Sequence, residues 1–227
     1  MEILKVIVGS RSHGLATEDS DYDYRGVFQV LTFDMLKIGE GCVKHTQGLE
    51  GKEDDTAWEL RHFLEMATKC NPTVLETFLA PVSSATPLGM EMRELFPHVW
   101  NSSGVKNAFI GYGINQRKKF FDKNDKRSNK YATAYLRVLF NCLELLETGT
   151  FSVDIRHTEV YTSCKKFKAG DFTHGEVIET CWQMEERCLK AYERNPDKET
   201  NLGPVNNFLE RALRGYWSTG ECLTRTA

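Results

Sequence analysis

The chain has 227 residues, 41% of them hydrophobic and 27% charged, with a formal net charge of −3. That balance fits a globular protein of one large domain or two small ones, and it argues against a protein that coats nucleic acid through bulk charge. No run of about eighteen apolar residues occurs, so no membrane span is expected. The opening Ile3-Leu4-Lys5-Val6-Ile7-Val8 is too short for a signal peptide and lacks its basic flank and cleavage site. The seven cysteines are odd in number, scattered, and nowhere spaced as Cys-x-x-Cys. Neither a disulfide framework nor a zinc site is suggested, and a reducing cytoplasm is the expected compartment.

In chain order, Ile3 to Val8 reads as a buried strand ending at Gly9-Ser10. Arg11 to Asp19 is polar and aperiodic, and Tyr22 to Val30 alternates loosely as a second strand. A glycine-rich connection from Gly39 to Gly51 leads to a third strand near Asp54 to Trp58. The period then changes. Leu60, Phe63, Leu64 and Ala67 form a helical face stopped by Asn71-Pro72, and Val74, Leu75, Phe78 and Leu79 form another stopped at Pro81. A turn of helix is expected from Met90 to Leu95, and a helix from Val105 to Phe121 in spite of Gly111 and Gly113.

Three strong apolar stripes follow: Ala132 to Leu146, closed by Gly149; Val177 to Tyr192, ended by Asn195-Pro196; and Val205 to Trp217. Cys142, Cys181 and Cys188 lie on such stretches and read as small hydrophobes of a core. The expected class is α+β: a small mixed sheet with flanking helices over residues 1–103, then a helical region over 104–227. Asn101-Ser102-Ser103-Gly104 is the expected boundary.

The chemistry concentrates in Gly9-Ser10-Arg11-Ser12-His13-Gly14 and Ser20-Asp21-Tyr22-Asp23-Tyr24-Arg25-Gly26. Residues two apart in a strand face the same side, so Asp21 and Asp23 present two carboxylates together. Like charges that close repel, and a hard divalent cation relieves the repulsion. Gly9 has no Cβ, so backbone amides and the Ser10 hydroxyl can approach a phosphate. A phosphate cradle beside a metal clamp is what transfer from a nucleoside triphosphate requires. Asp19 to Asp23 also begins like a calcium loop, but Tyr24 stands where glycine is needed and Val30 where glutamate is needed. That reading fails.

These residues resemble the signature of the DNA polymerase β nucleotidyltransferase superfamily, Gly-Ser followed about ten residues later by Asp-x-Asp. The longer strings Gly9 to Thr17 and Ser20 to Gly26 look like one bacterial and phage branch of predicted nucleotidyltransferases. Leu60-Arg61-His62-Phe63, Asn71-Pro72-Thr73-Val74-Leu75-Glu76, Tyr135-Leu136-Arg137 and Glu144 to Gly149 extend the similarity along nearly the whole chain. The resemblance implies a third carboxylate six residues before Leu60, which is Asp54, with Asp55 as the neighbouring alternative. It also implies two magnesium ions, replaceable by manganese, held by Asp21, Asp23 and Asp54. The implied nucleotide site is Gly9, Ser10, Arg11, Ser20 and Arg25, with Arg11 forking phosphate oxygens and Arg25 bracing the carboxylates. His13 reads either as a phosphate or base contact or as a solvent-facing loop residue.

The basic run Arg117 to Lys130 contains Arg117, Lys118, Lys119, Lys123, Lys126, Arg127 and Lys130 beside Phe120, Phe121 and Tyr131. Such a run reads as a single-stranded nucleic acid contact or as solvated helix ends. Lys118, Lys119, Lys130 and Arg137 are the candidate acceptor contacts. The expected activity is transfer of a nucleoside monophosphate, with ATP as one candidate donor, to an acceptor hydroxyl on RNA or tRNA. The rival readings are a nucleotide-binding module without turnover and a toxin-system transferase that nucleotidylates a protein.

Overall fold

In the computed structural model the first apolar run becomes β1 (Glu2–Val8), with Ile3, Leu4, Val6 and Val8 buried. The structure describes residues 1–38, 44–49, 52–122, 126–195 and 198–217; the side chains of residues 49 and 52–54 are outside that description. β1 runs into a single helical turn, α1 (Gly9–Ser12), and the chain returns as β2 (Asp23–Phe28), antiparallel to β1. A second single turn, α2 (Thr32–Met35), leads towards β3 (Thr46–Leu49) and β4 (Lys52–Glu59). These two strands pair antiparallel, and β4 lies parallel to β2. A parallel pair cannot be joined by a tight hairpin, which accounts for the long connection between them.

Helices α3 (Leu60–Thr68) and α4 (Pro72–Leu79) follow, then β5 (Val82–Ala85) and α5 (Pro87–Arg93). The sheet order is β3-β4-β2-β1-β5. One expectation needs correcting here, and one element was not foreseen. Asn71-Pro72 does not merely stop a helix; it starts the next one. The Asn71 carboxamide oxygen accepts from the Thr73 and Val74 amides, and proline fits the first helical position because its missing N–H has no helical partner to lose. The segment after Pro81 is a strand. All four residues of β5 are exposed, so no apolar alternation betrays it; backbone pairing to β1 and a hydrogen bond from the Ser84 hydroxyl to Glu2 hold it there.

The helical half comprises α6 (Ser102–Phe120), α7 (Ser128–Thr148), α8 (Tyr161–Ala169), α9 (His174–Arg194) and α10 (Leu202–Gly215). Asn101 caps α6 by accepting from the Gly104 amide, and Gly149 ends α7 in the left-handed region at φ +84°. α8 was not readable as a helix, because only Cys164 and Phe167 on it are buried. α9 opens with a reciprocal capping box between Thr173 and Glu176. The fold is therefore α+β, with a five-stranded mixed sheet, flanking helices and a helical C-terminal half. One continuous cluster of buried apolar side chains runs from Val6, Phe63 and Phe78 through Phe109 and Leu136 to Phe208. Cys142, Cys181 and Cys188 lie within it.

Candidate active site

The turn after β1 is set by glycine. Gly9 has φ +69°, and a Cβ there would collide with Asp23 Oδ2, so both the backbone conformation and the space require its absence. The turn holds itself together locally. The Ser12 hydroxyl donates to the Gly9 carbonyl at 2.9 Å, and the Leu15 amide donates to the Ser10 carbonyl at 2.9 Å. Because Val8 pairs with Asp23 in the β1–β2 ladder, the end of one strand and the first residue of the other meet at this turn.

Asp23 is half-buried at the start of β2, whereas Asp21 is exposed in the lead-in before the strand. The expected strand from Tyr22 is thus shorter at its start by one residue. Alternation nevertheless reaches back beyond it: the rings of Tyr22 and Tyr24 stack with centroids 6.2 Å apart and planes at 14°. Tyr22 and Tyr24 thus share one side of the chain. The guanidinium of Arg11 lies over the Tyr22 ring at 4.0 Å and donates from Nε and Nη2 to the Ser20 carbonyl at 3.0 and 2.5 Å. Ser20 in turn accepts the Thr17 amide on its hydroxyl at 2.9 Å. Arg11 and Ser20, both expected to touch nucleotide, here shape the connection that delivers Asp21 and Asp23.

β4 carries the two acids named for the third position. In the parallel β2–β4 pairing Arg25 lies opposite Thr56, and the pairing begins there, two residues beyond Asp23 and Asp54. Asp55 is buried and its Oδ1 accepts the Tyr24 amide at 2.7 Å, so its carboxylate is engaged between the strands. The side chain of Asp54 lies outside the described residues. Among the described residues no group of three or more histidine, cysteine or acidic side chains is arranged to hold a metal ion.

Behind the turn stands a second charged group, buried rather than exposed. Glu76 on α4 accepts from His13 Nε2 at 2.9 Å and from Arg137 Nη1 at 3.1 Å. All three are buried. Burial alone would raise the Glu76 carboxyl, but Arg137, His13 and Arg25 together hold it well below the usual carboxylate range. Burial, with Arg137 adding to it, pushes the His13 imidazole below its ordinary value, so His13 is neutral and donates Nε2–H to the carboxylate. Two expectations are corrected by this geometry. His13 is no solvent-facing loop residue. Arg137 points into the core against Glu76, not outward to an acceptor, because an ionised Glu76 buried without it would be very costly. Arg25 reaches the Thr73 carbonyl at 3.5 Å and adds positive charge beside Glu76.

Glu76 does not stand out as a site residue in the sequence, yet a signal is present: a single acid among Val74, Leu75 and Phe78 on an otherwise apolar helix implies a buried partner. The helical half also grips the turn through backbone atoms. The Ile155 amide donates to the His13 carbonyl at 3.3 Å and Lys168 Nζ to the Leu15 carbonyl at 2.6 Å, while a Cβ on Gly14 would collide with Arg156. Lys118, Lys119 and Lys130 are exposed at the end of α6 and the start of α7; Lys123 lies outside the described residues.

Set beside known proteins, a chain with this sheet and this turn joins the polymerase β-type nucleotidyltransferases. More narrowly, it belongs to the RNA repair pathway DNA polymerase beta family, RlaP, whose profile matches residues 2–168. The match ends with the last turn of α8, so α9 and α10 lie beyond it. The chain is also similar to the uncharacterized protein YcgL of Bacillus subtilis (strain 168), 22% identical over 236 residues that span 93% of this chain and 89% of that one. No helix among the described residues is long and apolar enough to cross a membrane.

Proposed function

We propose that this protein transfers a nucleoside monophosphate from a nucleoside triphosphate to a hydroxyl at an RNA end, releasing pyrophosphate. The observation that carries the reading is Gly9, whose missing Cβ lets the Asp23 carboxylate lie directly against the backbone of the turn. A triphosphate seated on the Gly9 and Ser10 backbone would there meet an acidic edge, an arrangement that repels phosphate unless a cation lies between them. Asp21, Asp23 and Asp54 would hold magnesium. When bound, the ions neutralise charge on the triphosphate and favour loss of the acceptor proton.

The remaining work falls to the chain's own atoms. Gly9 and Ser10 orient the β- and γ-phosphates, so that the acceptor oxygen bonds to the α-phosphorus as the bond from that phosphorus to the bridging oxygen of pyrophosphate breaks. Asp54 takes the hydroxyl proton. Its assignment over Asp55 rests on the engagement of Asp55 with the Tyr24 amide. Arg11 acts indirectly, by holding Ser20 and Tyr22 so that the acids leave the strand together.

The test is transfer of label from each α-labelled ribonucleoside triphosphate to single-stranded RNA, with and without magnesium. Label in the RNA and equimolar pyrophosphate are expected from the wild-type chain and not from Asp23→Asn. Label appearing equally with Asp23→Asn, or no transfer from any of the triphosphates to any RNA offered, would end the proposal.

A further inference from the structure

Four helix ends meet beside the grip on the turn, and sequence spacing alone could not bring them together. The end of α6 carries Lys118, Lys119, Phe120 and Phe121; the start of α7 carries Lys130 and Tyr131. Tyr131 joins these two ends, with Lys119 and Arg127 each 5.6 Å from its ring centre. His174, the first residue of α9, packs against Phe120 at 4.8 Å between centroids and stacks on Phe121 at 6.2 Å with planes at 27°. The end of α8 completes the cluster. The Asn129 amide group donates to the Lys168 carbonyl at 3.4 Å, while the ammonium of the same Lys168 holds the Leu15 carbonyl of the turn.

The result is a rim with exposed cations beside an exposed phenyl ring that packs on Phe120 and His174. Phe121 is 52% exposed. Lysines in the last turn of α6 are explained by the negative end of the helix, but that effect does not place a phenyl ring in water. Lys118, Lys119, Lys126, Arg127 and Lys130 are all exposed here, on a chain whose overall charge is −3. Among the described residues the acids on the same segments are Asp122, Asp171 and Glu176, and Glu176 is engaged in capping α9; Asp125, like Lys123, lies outside the described residues. Positive charge and an aromatic face side by side suit one class of ligand, a strand whose phosphates meet the lysines while an unpaired base stacks on the ring.

We infer that this rim is where the acceptor docks, as a single-stranded RNA segment with a base stacked on Phe121 against His174. The inference deepens the transferase reading and rests on it for the acceptor's role, but strand binding can be measured apart from transfer. A duplex keeps its base faces covered and cannot use the ring.

The test is fluorescence anisotropy of a short labelled single-stranded RNA and its blunt duplex on the full chain, in EDTA and without triphosphate, over a range of salt. The strand is expected to bind more tightly than the duplex, with a logarithmic salt slope of about −0.7 per phosphate contact. Phe121→Ala should weaken strand binding about tenfold, and Lys118→Glu with Lys119→Glu by roughly a hundredfold. These side chains are on the surface, and an unchanged melting temperature shows that the fold survives. Unaltered binding by both variants, equal affinity for duplex, or capture of anionic lipid vesicles in place of RNA would overturn the inference. Loss of transfer in Asp23→Asn with strand binding intact leaves the platform standing, and strand binding without any transfer by the wild-type chain sinks the transferase reading alone.

Discussion

Two charged groups lie on either side of one short connection, and they are built on opposite principles. In front, Asp21 is exposed and Asp23 half-exposed, one in a lead-in and one at a strand end, and the glycine beside them leaves room for the Asp23 carboxylate against the turn. Behind, Glu76 is buried between His13 and Arg137, with partners from the turn and from α7. A carboxylate left near water can exchange its hydration for a cation. One enclosed by a guanidinium and an imidazole is fixed, and fixes what it touches. Charge around this turn divides by access: Asp21 and Asp23 lie towards the surface, whereas Glu76 is buried and ties the turn to the helical half.

The comparison breaks most visibly if the two groups respond alike to substitution. Asp21→Asn or Asp23→Asn should reduce transfer by about a thousandfold or more with little change in melting temperature. Glu76→Gln should do the reverse, costing about 3–5 kcal/mol of stability in urea unfolding, because Arg137 is left buried without a counter-charge. Gly9→Ala should cost about 1–3 kcal/mol through its positive φ and also reduce transfer, since the added carbon meets Asp23. Asp55→Ala should cost about 1–3 kcal/mol by stranding the Tyr24 amide, whereas Asp54→Asn should act on transfer alone.

The smallest effect is a pH dependence of stability. His13 is held below its ordinary 6.5, so under acid the unfolded chain binds a proton that the folded chain refuses, and stability declines as pH falls below about 6.5. Glu76 is held well below its ordinary 4.5, so its contribution is complete above that value and is lost as pH falls through the folded one. Melting curves between neutral and acid pH should show both stages, and the second should vanish in Glu76→Gln.

Much of this was legible beforehand. The strong stripes of α7, α9 and α10 and the apolar run of β1 announced themselves, as did the Gly-Ser turn and the paired aspartates. What stayed hidden depended on distant residues. His13 has polar neighbours in sequence, and only the approach of Ile155, Glu76 and Arg137 buries it. Arg137 sits on an apolar stripe but reads as a cation like any other until Glu76 is placed opposite. β5 has no pattern of its own, because an exposed edge strand buries no face. The ring of Phe121 acquires its setting from His174, fifty-three residues away along the chain.

On the proposed reading the pair Asp21 and Asp23, and not the buried Glu76, holds the divalent cation. Manganese binding followed by electron paramagnetic resonance in the presence of a triphosphate tests it most directly. Wild-type protein and a folded Glu76→Gln variant should bind manganese equally, while Asp21→Asn with Asp23→Asn should leave only the signal of manganese bound to free triphosphate. Undiminished protein-bound manganese in that double variant would contradict it.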